Sequence, residues 1–204
     1  MSANSDRRPL RLDVERREIN EVVSRAHAGH LLEVRTADAV RLGDLQNTLI
    51  ANEPTIAHFS GHGDASAGIV MTDDLSRRDL GDRRPGDGGR MRPVPPAALT
   101  ELFGIVRKGL RCVVLNACHS ADQARAIAVH VPCVIGMRGG IGDDAAICFA
   151  TGFYLGVAHG ETIGSAFRLG CNRLSLQGHA DAGVPQLIAG PGAADRPVVA
   201  RATR

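Results

Sequence analysis

Arg111-Cys112-Val113-Val114-Leu115-Asn116-Ala117-Cys118, RCVVLNAC, is the stretch whose reading decides the fold. From Cys112 to Leu115 the residues are apolar without alternation, so neither face of such a strand meets water. That is the pattern of a central strand in a parallel sheet covered on both sides. Downstream, Ser120 with Gln123 three residues on reads as a capping box, which starts a helix at about Ala121. Pro132–Met137 (PCVIGM) is one more buried strand, followed by a glycine loop and a helix from Asp143 to about Ala158. A further helix covers roughly Thr162–Gln177, and Val184–Gly190 (VPQLIAG) supplies a last strand.

Upstream the alternation continues. Pro95 and Pro96 open a helix that runs over Ala97–Lys108 and ends at Gly109. Thr55–Ser60 (TIAHFS) is a second buried strand, and Arg41–Glu53 is a helix stopped by Pro54. Leu31–Val40 (LLEVRTADAV) carries alternating and β-branched residues and reads as a strand. Leu12, Ile19, Val22 and Val23 form the apolar stripe of a surface helix within Pro9–His27. Ala67–Asp74 (AGIVMTDD) and Arg90–Pro95 (RMRPVP) read as two short strands that make a small hairpin around a charged segment, residues 73–90, which offers no core and is expected to be disordered, the alternative being a mobile flap or partner contact. Strands alternating with helices imply an α/β domain with a mostly parallel sheet, and its sites belong beyond the carboxyl ends of the strands.

Composition narrows the possibilities. A chain of 204 residues is long enough for one domain with its own core. Lys and Arg total 24 against 22 Asp and Glu, and aromatic residues are only 3 %, which argues against a nucleic-acid binder that stacks bases on a basic face. Five cysteines, an odd number without a CxxC pair, and the lack of a leader in front of them read as a cytoplasmic chain with free thiols. The apolar run Ala145–Ala158 is shorter than a bilayer crossing requires, so no membrane partner is expected.

Two strands end in residues that suit chemistry: HFSGHG, His58–Gly63, and NACHS, Asn116–Ser120. If their tips are adjacent, His62 stands beside Cys118. A thiol attacks as its thiolate, which an imidazolium and a helix N-terminus both favour; Cys118 lies two residues before Ser120, where the next helix is expected to start, and adjacent tips would add the imidazole. His62 then acts as base toward the thiol and as acid toward the leaving amine, with the backbone N–H groups of Gly63 and Cys118 as candidate oxyanion donors. A zinc site from His58, His62 and Cys118 is the weaker reading, because the spacing matches no finger, ribbon or helical HExxH pattern. His58 fits better as a hydrogen-bonded structural residue, and Cys112, Cys133, Cys148 and Cys171 fit as small core residues. Asn116 supports the turn, and His119 is an exposed loop residue.

With "HFSGHG", "RCVVLNACHSADQARAIAVHVPCVIGM" and "GDDAAICFATGFYLGVAHGETIGSAF" in this order, the chain resembles a CHAT domain, a caspase-like cysteine peptidase domain related to caspases and separase. The resemblance covers residues 1–190 and leaves 191–204 as a C-terminal tail. It implies a caspase-like three-layer sandwich and a His-Cys dyad carried onto His62 and Cys118. It also implies endopeptidase activity on a protein or peptide substrate, without metal or organic cofactor, in bacterial conflict or programmed-death systems. A separate sensor or activator is expected, since none is fused to this chain. Asp143 matches the family's usual aspartate and is expected to bind a basic P1 side chain; alternatively Asp143 and Asp144 serve the first turn of their helix and its dipole. The family places an apolar strand ahead of Ser2-Ala3-Asn4, so the first strand of the sheet is expected to be missing, or to lie upstream, and an apolar groove beside the sheet edge to be open. The competing function is a catalytically silent interaction module.

Overall fold

A computed structural model describes residues 2–3, 10–26, 28–64, 68–72 and 91–199. In chain order its elements are β1 (Ser2–Ala3), α1 (Leu12–Arg25), α2 (Leu42–Asn52), β2 (Ile56–Gly61), β3 (Gly63–Asp64), β4 (Gly68–Thr72), β5 (Met91–Pro93), α3 (Pro96–Ile105), β6 (Cys112–Asn116), α4 (Ala121–Ile127), β7 (Cys133–Met137), α5 (Asp143–Ala158), α6 (Ile163–Leu176) and β8 (Pro185–Ala189). Residues 73–90 lie outside the described residues, and with them the expected disordered segment.

The main sheet has the order β1-β2-β6-β7-β8, with β1, β2, β6 and β7 parallel and β8 antiparallel to β7. Every residue of β6 and β7 is buried, as the unbroken apolar run of RCVVLNAC requires of a central strand. Ala57, Phe59, Val113, Leu115 and Val134 pack on one face against Leu45 and Leu49 of α2, Leu99 and Phe103 of α3 and Ile127 of α4. Cys112, Val114, Cys133, Ile135 and Met137 pack on the other against Phe149 and Phe153 of α5 and Ala166 and Leu174 of α6. Helix α1 joins this second layer, with Ile19 and Val23 on Ala150 and Ala158. The molecule is therefore the α/β three-layer sandwich that the sequence implied. Each large apolar side chain removed from water in these two layers contributes about 1.5–3 kcal/mol, which is what holds sheet and helices together. A second small sheet, β3-β4-β5, is antiparallel and sits at the end of β2.

Three sequence expectations are corrected. Leu31–Val40 is not a strand: a 3-10 turn at Gly29–Leu31 leads into irregular chain up to α2. Its alternation is real, but Leu31 and Val34 are exposed, and a cavity of about 520 Å³ lies between this segment and the flank of β2. Without a partner strand in reach, β propensity has nothing to act on. The cavity's wall mixes apolar side chains such as Ile19, Leu49 and Tyr154 with charged ones such as Glu15, Glu33 and Arg35. Its lane is taken up at one end, where β1 pairs Ser2 with Ser60 and Ala3 with Gly61.

Helix α3 ends at Ile105, short of Gly109. Gly109 instead adopts φ +79° in the turn that enters β6, closed by the Leu110 N–H on the Arg107 carbonyl. The capping box at Ser120 does not form, although α4 starts at Ala121 as expected. Ser120 is fully buried and donates to the Leu115 carbonyl while accepting from the Met137 N–H, tying the end of β6 to the end of β7. Gln123 is drawn to the small sheet: its Oε1 accepts from the Ile69 N–H at 2.8 Å and its Nε2 donates to the Val94 carbonyl at 3.0 Å. Those buried backbone groups need partners, and a Gln side chain offers one donor and one acceptor at the right reach.

Residues 191–199, set apart as a tail in the sequence, fold back on α6. Ile163 and Gly164 donate to the Arg196 and Ala194 carbonyls, and Arg111 Nη1 donates to the Pro197 carbonyl.

Candidate active site

The carboxyl ends of β2, β6 and β7 meet at one edge of the sheet, where a parallel α/β fold places its sites. At the end of β2 the small sheet fixes the chain: the Val70 N–H donates to the His62 carbonyl, and Gly63 pairs with Ile69. Gly63 presses directly on the backbone of Cys118. A Cβ at this position would stand 1.8 Å from the Cys118 carbonyl oxygen and 2.8 Å from its nitrogen, distances no side chain tolerates. The glycine after His62 is thus demanded by the close approach of two backbones. This contact brings His62 and Cys118, read from separate motifs, to adjoining chain segments.

His62 Nε2 is shielded from solvent and makes no hydrogen bond among the described residues. Cys118 is half-buried, and its Sγ accepts from the Ile141 N–H at 3.4 Å and lies 3.7 Å from the Ile141 carbonyl. Beyond it, His119 turns the chain through a left-handed conformation, φ +56°, with its N–H on the Gly139 carbonyl. An exposed non-glycine residue in that region marks a sharp strand-to-helix corner. Burial pushes Cys133 up to about 11 and raises Cys112, Cys148 and Cys171 above the ordinary thiol value. Cys112, Cys133 and Cys148 are buried and held protonated, which makes them unreactive, whereas Cys171, like Cys118, is half-buried.

Asp143 begins α5, two residues beyond Ile141, and is not free. Arg11 donates to its Oδ2 from Nε at 3.0 Å and from the backbone at 3.3 Å, and reaches Asp144 with Nη2. No spacing or motif signals this pairing, which spans more than a hundred residues.

A buried polar cluster that sequence reasoning missed backs the site. Glu15 on α1 is 5 % exposed. It accepts from Asn116 Nδ2 at 2.6 Å and faces His58 Nε2 at 3.4 Å. Ser60 Oγ lies 2.9 Å from the same His58 nitrogen, and Tyr154 OH 3.1 Å from His58 Nδ1. Asn116 Nδ2 also donates to the Ala146 carbonyl in the first turn of α5. Burial alone pushes the Glu15 carboxyl up, but the hydrogen bond and electrostatic attraction from His58, with hydrogen bonds from Ser60 and Asn116, outweigh it, so its pKa lies below the ordinary 4.5. Burial also holds the Tyr154 phenol well above its usual range. His58 is hydrogen-bonded through both ring nitrogens, toward α1 and α5. Glu15 was readable only as one of several charges on a surface helix, and nothing in its spacing marks it as the one turned inward.

The chain matches the family model of the CHAT domain over residues 1–169. It belongs to the CHAT domain family. A CHAT domain is caspase-like and related to cysteine peptidases, and the sandwich described above is consistent with that fold. A search of curated proteins gave no match. Among the described residues, no helix of this CHAT domain is long and apolar enough to cross a membrane.

Proposed function

We propose that this CHAT domain is a cysteine endopeptidase in which Cys118 is the nucleophile and His62 the acid and base. The observation that carries the reading is the packing of Gly63 on the Cys118 backbone, since it sets the imidazole-bearing and thiol-bearing tips side by side. His62 Nε2, with no hydrogen-bond partner among the described residues, is available for a proton. In this mechanism His62 takes the Cys118 proton as Sγ bonds to the substrate carbonyl carbon. The carbonyl oxygen gains the negative charge, held by the Gly63 and Cys118 amides. The C–N bond then breaks, His62 gives its proton to the leaving amine, and water hydrolyses the thioester to restore the thiol. The substrate is a protein or peptide, and a separate sensor or activator switches the domain in a bacterial conflict or death pathway.

Comparing the wild type with Cys118→Ala and His62→Ala on a mixed peptide library under reducing conditions tests this. Cleavage by the wild type alone is expected. Cleavage by neither wild type nor variants fits both a domain still waiting for its activator and the silent interaction module.

For specificity, the Arg11 guanidinium on Asp143 is the same kind of group that a P1 arginine would bring, and such a substrate has to displace it. Arg11→Ala is expected to lower KM for Arg-P1 peptides about two- to fivefold, the worth of an exposed ion pair. Asp143→Ala is expected to abolish the preference for Arg or Lys. An unchanged P1 preference in Asp143→Ala leaves the two aspartates with the simpler task of favouring the N-terminus of α5.

A further inference from the structure

We infer that Glu15 is a positioning residue for the His62–Cys118 site: one buried carboxylate on α1 fixes the ends of both strands that deliver the two groups. Ser60 of β2 and Asn116 of β6 are partners in the register of the sheet. Each stands two residues before a member of the dyad, Ser60 before His62 and Asn116 before Cys118. Both belong to the Glu15 cluster, Asn116 through its direct bond and Ser60 together with His58. Asn116 carries the linkage on to the Ala146 carbonyl in the first turn of α5, whose lead-in residue Ile141 holds the Cys118 sulfur. One turn before Glu15 on the same side of the molecule, Arg11 holds Asp143 and Asp144. The three segments that make the site are therefore tied to one helix that contributes no reacting group. A carboxylate is suited to this because it accepts several hydrogen bonds at once, and neither an apolar side chain nor a single hydroxyl can bridge the two strands. Among the described residues the buried Asn116 Oδ1 has no partner, so the side chain is held through its donor end.

This inference takes its meaning from the dyad proposed above, but its test does not depend on cleavage. The measurement is the rate at which iodoacetamide alkylates each thiol of the folded chain, followed by mass spectrometry of peptides, with sulfur–carbon bond formation and loss of iodide. Cys171 on α6, the other half-buried thiol, is the internal control. In Glu15→Ala, Cys118 is expected to react about tenfold more slowly, the scale of loss from small misplacement of reacting groups, with Cys171 unchanged. Glu15→Gln, which keeps an acceptor for Asn116, recovers most of the lost rate. If Glu15→Ala does not fold, Glu15→Leu combined with Asn116→Leu replaces both ends of the bond by apolar groups and leaves no unpaired amide, and Cys118 is expected to be slow there as well. An unchanged or faster Cys118 in a folded variant overturns the inference. So does a parallel change in Cys118 and Cys171, which would mean general loosening. A wild type that cleaves nothing leaves this result standing, because alkylation reads the thiol and not turnover.

Discussion

At the scale of single residues, the buried Glu15 carboxylate is the group with the most to lose. Because its folded-state pKa is below 4.5, its contribution to stability is present above about pH 4.5 and is lost as pH falls through the lower folded value. Glu15→Gln keeps hydrogen bonding but not charge, so it is expected to be less stable than the wild type by about 1–2 kcal/mol at pH 7. The gap closes as the solution is acidified toward pH 3. Urea unfolding of both proteins across this range checks it, and a gap that is constant with pH would show that the carboxylate is not ionised in the fold. The sequence could not single out Glu15, because an inward charge on an amphipathic helix looks like its outward neighbours until its partners are known. His58, by contrast, was legible: a polar residue alternating with Ala57 and Phe59 on a half-buried strand has to find hydrogen bonds, and Glu15, Ser60 and Tyr154 supply them.

At the scale of elements, the site depends on how closely β3 approaches the turn after β6. Gly63→Ala is expected to destabilise the fold by about 1–3 kcal/mol, as overpacking does, and to displace Cys118 enough to remove cleavage and slow its alkylation. Thermal unfolding and the alkylation rate together check it; an alanine variant with wild-type stability and thiol reactivity would mean that the two backbones are not in contact. The elements that the sequence made plain are those made mainly of core residues. β6, β7 and α5 follow from unbroken apolar runs with sharp ends, and α5 begins at Asp143 as expected. The elements that it misjudged are those whose fate depends on a neighbour. Leu31–Val40 has the alternation of a strand and lies across a cavity from the sheet. Ser120 and Gln123 have the spacing of a capping box, but each meets a buried backbone group elsewhere that has greater need of it. Gly109 was read as a helix stop, and its left-handed conformation serves the next turn.

At the scale of the whole molecule, two helical layers cover a mostly parallel sheet, and the ends of three parallel strands converge where His62, Cys118 and Asp143 lie. The order of strands and helices was enough to foresee this, since a central strand such as Cys112–Asn116 admits few other architectures. What the order does not carry is the long-range pairing that ties α1 to the site through Arg11 and Glu15, each more than a hundred residues from its partner. The central claim is that His62 and Cys118 act as one unit. It is tested most directly by exposing the wild type, His62→Ala and Cys118→Ala to a peptidyl acyloxymethyl ketone with arginine at P1 and weighing the intact proteins. The account predicts a single adduct on Cys118 of the wild type, formed much more slowly in His62→Ala and absent in Cys118→Ala. Equal labelling of Cys118 in the wild type and His62→Ala, or labelling centred on another cysteine, would contradict it.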